Sequence, residues 1–163
     1  MSSKDLRLKV ANSKQIAEYK QKIVASILEN KELTDIIDPN IDASELPYNN
    51  IFPFGKIPGT VDEAKAYITI EVSMPNVSTA NYFFKEVVIV LNIVCHDDLM
   101  KVEGLGMTRI DAIGIALEDL FSGSNDFGFG EVELVSNVEG AWTERHSYRQ
   151  LRFRTKEPTR TRC

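Results

Sequence analysis

Cysteine is scarce: the 163 residues contain two, Cys95 inside an apolar run and Cys163 at the last position. Two thiols so placed exclude a disulfide framework. Long hydrophobic runs are missing too. No apolar segment approaches the roughly 20 residues that a membrane helix needs. Met1 to Val10 is polar and charged, without the apolar block of a secretory signal. A soluble, intracellularly made protein with no membrane partner is therefore expected. No serine or cysteine sits in a nucleophile elbow. The glycine-rich stretch Gly123–Gly130 follows an expected helix and precedes an expected strand, with no lysine, which is the reverse of a phosphate-cradling loop. Internal repeats and low-complexity tracts are absent as well.

What is present fits one domain over residues 1–163, with 43% hydrophobic and 26% charged residues. Residues 1–12 and 157–163 read as flexible ends. The net charge of −5 hides an asymmetry. From Arg145 onward seven basic residues face one acidic residue, leaving 12 basic and 23 acidic in the rest of the chain. A chain divided in this way can set the basic end of one copy on the acidic body of another. A solvated strand edge with a frayed terminus accounts for the same charges.

The chain is organised around a strand from Phe83 to Cys95, whose run Val87-Val88-Ile89-Val90-Leu91 marks a strand buried on both faces, in mid-sheet. Ahead of it, Ile16, Tyr19, Ile23, Ile27 and Leu28 give a helix over Ser13 to about Asn30, and Asp38-Pro39-Asn40 then stops any regular structure. Residues 39–59 read as irregular, with the cluster Ile51-Phe52-Pro53-Phe54-Gly55 packed under the domain or against a neighbour. Ala66 to Met74 alternates as a strand that returns through Asn76–Tyr82 to form a hairpin with the central strand. A second helix opens at Thr108, with Asp111 completing a capping box. It buries Ile110, Ile113, Leu117, Leu120 and Phe121, and Gly123 closes it. Ile115 falls outside that stripe, available to a neighbour. Strands Glu131–Ser136 and Tyr148–Thr155 follow, separated by a turn at Asn137–Gly140. On the last strand Leu151 and Phe153 share one face, Arg152 and Arg154 the other. The fold class is α+β: a single antiparallel or mixed sheet of about four strands, with two helices packed on one face, in the order helix-strand-strand-helix-strand-strand.

Cys95-His96-Asp97-Asp98 is the one cluster of metal-capable side chains. Neighbouring strand residues point to opposite faces, so Cys95 and His96 do not share an ion easily, and no metal site or cofactor is expected. His96 or His146 beside an aspartate is a formal base and orienter. His146 is expected in a loop beside Arg145, and no catalytic residue is assigned. Arg149, Arg152 and Arg154 interleave with Tyr148 and Phe153 as in a nucleic-acid-binding strand. The acidic body, with a pI near 5.1, opposes a phosphate backbone and allows at most passive contact with DNA.

Gly106-Met107-Thr108-Arg109-Ile110-Asp111 opening the second helix and Leu117-Glu118-Asp119-Leu120-Phe121 closing it carry a family resemblance. Phe127-Gly128-Phe129-Gly130, Glu133-Leu134-Val135-Ser136 and Tyr148-Arg149-Gln150-Leu151-Arg152-Phe153 continue it. Over residues 13–156 the pattern resembles the tail terminators and related head–tail joining proteins of tailed bacteriophages. The resemblance implies a structural virion protein of the neck, assembled in the host cytoplasm, with no enzymatic activity. It implies a homo-oligomeric, usually hexameric ring that caps the tail tube and joins tail to head. Partners would be further copies, the tail tube protein, and the sheath and head-completion or connector proteins. A head-completion protein of the adjoining layer, or a small α+β ligand-binding domain or enzyme, are the alternatives. Arg149, Arg152, Arg154, Ile115, Phe52 and Phe54 are the expected subunit or partner interface.

Overall fold

A computed structural model describes residues 12–56, 64–75, 84–127 and 129–158. Among these residues it is an α+β fold: one mixed sheet of five strands with three α-helices. Helix α1 spans Asn12–Glu29, and α2, Lys31–Ile37, follows after a single residue. Strand β1 is the pair Ile51–Phe52, β2 runs Ala66–Ser73 and β3 runs Phe84–His96. Helix α3 spans Arg109–Phe121. Strands β4, Phe129–Thr143, and β5, His146–Pro158, form the closing hairpin.

The sheet order is β1-β2-β3-β5-β4, so the β-branched run of β3 lies in the middle, as its composition requires. β3 pairs antiparallel with β2 (Ile70 opposite Leu91) and with β5 (Leu91 opposite Leu151). β1 alone is parallel to its neighbour. The expected β2–β3 hairpin pairing is present, and its return loop lies outside the described residues. All three helices lie on the same side, with α1 over β2 and α3 over β3 and β5. They bury Ile23, Ile27, Ile113 and Leu117 against Ile68, Ile70, Leu91, Ile93, Leu151 and Phe153.

Several expectations from the sequence need correction. Residues 31–37 form a second helix because the Asn30 side chain accepts the Leu33 amide at 3.1 Å, restarting the helix one residue after α1 ends. Ile51–Phe52 is a strand within the stretch read as irregular. The turn expected at Asn137–Gly140 is strand: β4 continues to Thr143, and only Glu144 and Arg145 join it to β5. β4 is the edge strand, so Asn137, Val138 and Glu139 are all exposed and their polarity imitates a turn. Three register shifts absorb the irregularity. Asn12 opens α1, and Glu157 and Pro158 end β5, so the flexible ends expected over 1–12 and 157–163 lose these residues. The remainder of both ends lies outside the described residues.

Candidate interaction surfaces

Helix α3 begins as its sequence dictates. Thr108 accepts the Asp111 amide at 3.2 Å, and Gly123 takes φ +77° just past the end. This places Asp111 above β5, where strand alternation decides the fate of each arginine. Arg149 is opposite Ile93 and faces the helices, whereas Arg152 and Arg154 lie opposite Val90 and Val88 on the other side of the sheet.

The three arginines of the expected interface are therefore not one patch. Arg149 is turned inward. It donates to Asp111 on α3, to Glu139 at 2.8 Å and to Asn137 at 2.9 Å on β4. Gly114 makes room for it: a Cβ there would meet Arg149 Cδ at 2.7 Å. The Thr108 hydroxyl holds the Asp111 carboxyl below the usual carboxylate range; burial opposes this and Arg149 adds to it. Arg154 is exposed and donates to Glu133 at 3.0 Å. Arg152 is exposed with no ion-pair partner among the described residues.

Ile115 is 50% exposed and lines an open groove of about 340 Å³ between α2 and α3. Ile36, Met107 and Leu120 add apolar surface to the groove, and Glu32 and Asp119 form an acidic rim. Arg109 fixes one end, donating to the Leu99 carbonyl at 2.8 Å and to the Ile36 carbonyl near the end of α2.

On the opposite side of the sheet Phe52 and Phe54 divide. Phe52 is 2% exposed, in a small cluster with Tyr67, Val94, Trp142 and Tyr148. Phe54, 44% exposed, rests on Phe52 at 5.6 Å and on Tyr48 at 6.3 Å between ring centroids. Tyr48, missed in the sequence, has φ +64° and is 68% exposed. Its loop is held by the Leu46 carbonyl, which accepts from Asn49, Asn50 and Ile51. Val138, also missed, is 48% exposed on β4; it lies opposite Gln150 and diagonal to Arg152 on the same face. Alternation would have located it, had the polar stretch been read as strand.

The chemically capable groups lie inside. Cys95 faces the core, where burial pushes its thiol up to about 11, opposed by the Arg109 charge. His96 and His146 are cross-strand partners on the other face, both buried, with rings perpendicular at 5.1 Å. His146 thus belongs to β5 and not to a loop. His96 Nδ1 accepts the Asp98 amide at 3.1 Å, and His146 Nδ1 bonds Thr143 Oγ1 at 2.9 Å. Among the described residues no three His, Cys, Asp or Glu side chains are grouped to hold a metal ion. Among the same residues no helix is long and apolar enough to cross a membrane.

The arrangement defines an α+β domain whose accessible features are surfaces: an apolar groove with an acidic rim, an open sheet face carrying the exposed Arg152, and an aromatic corner. The chain belongs to the YomW family, whose model matches residues 21–155, and the family name is of phage-associated type. No curated protein matches the chain.

Proposed function

We propose that this chain is a structural virion protein of the phage neck, a tail terminator whose copies close into a homo-oligomeric ring. Such a ring caps the tail tube and joins tail to head. The observation that carries this reading is the separation of two unlike surfaces across one rigid sheet: the Ile115 groove on the helix side and the Arg152 face on the other. A closed ring of identical subunits joined head to tail requires two different patches on each copy. The burial of Cys95, His96 and His146 fits a role in shape and binding, with no reaction catalysed. Phe54 and Tyr48 form a third surface, the one this reading assigns to the adjoining tail-tube, sheath or head-completion layer. The acidic body limits any DNA in the lumen to passive contact. The site of action is the virion, after assembly in the host cytoplasm.

Light scattering and negative-stain electron microscopy of the purified protein test the proposal. Annular particles several times the 18.4 kDa chain mass are expected. Solitary chains at high concentration, with and without tail-tube protein, would overturn it.

A further inference from the structure

Some of the charges on α3, β4 and β5 are matched within the chain. Arg149 is bonded to Asp111 and Glu139, and Arg154 to Glu133. Among the described residues Arg152 on the open sheet face has no ion pair, and neither have Glu32 and Asp119 on the rim of the groove. Each set of unmatched charge borders exposed apolar surface: Val138 beside Arg152, and Ile115 with Met107 in the groove. Isolated apolar side chains on a surface are ordinary. Apolar surface bordered by charge of opposite sign on the two sides of one molecule is a matched pair.

We infer that the groove between α2 and α3 of one copy receives the β4–β5 sheet face of a second copy, Ile115 and Met107 against Val138, with Glu32 and Asp119 facing Arg152. The contact rests on the ring reading and specifies its subunit interface. Helices and open face lie on opposite sides of the sheet, so each copy uses one side for each neighbour. The contact is heterologous and repeats from copy to copy. Arg149 has no part in it, because its charge is spent inside the fold.

Pairing of complementary variants is the test, read by light scattering. One full-length chain carries Ile115→Asp in the groove; the other carries Val138→Asp with Arg152→Glu on the sheet face. All three positions are exposed, so melting temperatures should stay near that of the parent. Should Ile115→Asp melt early, Met107→Asp replaces it. Each variant alone should lose the ring and run at the mass of one chain. Mixed in equal amounts they should give twice that mass and no more, since the mixture retains one intact groove and one intact face per pair. Rings that survive either variant would overturn this interface and leave the ring reading standing. Two monomeric variants that fail to pair on mixing would overturn it in favour of a symmetric contact or a different partner protein. A parent chain that is itself monomeric would remove the ring reading, and this interface with it.

Discussion

Arg149 and Arg152 stand three residues apart on one strand and lead opposite lives. On the helix-covered face Arg149 is enclosed by Asp111, Glu139 and Asn137, drawn from an edge strand and a helix. On the open face Arg152 meets no carboxylate in its own chain among the described residues. The contrast shows that the basic character of β5 is two features in one count. One half is internal, joining α3 to the β4–β5 hairpin, and the other is surface. Removing a charge from the first should harm folding, and removing one from the second should harm only association.

Mutations on β5 can break or sharpen this contrast. The largest effect should come from Phe153→Ala, which empties a fully buried site beneath α3. A loss of about 3–5 kcal/mol is expected in denaturant unfolding. Arg149→Ala should cost about 1.5–3 kcal/mol, the range for hydrogen bonds to charged groups, because Asp111 and Glu139 lose their shared cation. A change below 0.5 kcal/mol would place Arg149 with the surface arginines after all. The acid limb of stability offers a smaller signal. The Asp111 pKa is lowered in the fold, so its contribution is complete above the unfolded carboxylate value, about 3.9. It fades as pH falls through the lowered folded value. Asp111→Asn should therefore flatten the pH dependence of the melting temperature below about pH 4. Arg152→Ala should change stability by less than about 0.5 kcal/mol while weakening association in light scattering.

Much of the fold was legible in the sequence where burial is one-sided or complete. The β3 run, the strand read from the alternation of Ala66 to Met74 and the α3 stripe are all in the structure, although Tyr67 and Thr69 on the second face of β2 are buried as well. What escaped is governed by contacts distant in sequence. β1 exists because Ile51 and Phe52 pair beside Ile68 and Thr69. The end of β4 is strand because β5 supplies its ladder, although Asn137 and Glu139 have turn-like polarity. α2 depends on a single cap at Asn30, too local a signal to stand out between the end of α1 and the breaker Asp38-Pro39-Asn40. The candidate surfaces were partly legible. Ile115 stood outside its stripe, and it is exposed. Phe54 reaches the surface whereas Phe52 does not, since a two-residue strand decides which ring turns under. Arg149 was grouped with Arg152 by composition, and strand parity separates them.

The central position of β3 has a consequence for how the chain is made. One of its edges is covered by β2, synthesised just before it, but the other waits for β5, some fifty residues later. Until the ribosome has delivered residues 146–158, the nascent polypeptide carries an apolar strand with one bare edge. The same delay postpones the Arg152 face, which is complete only once β5 has paired with β3 and β4.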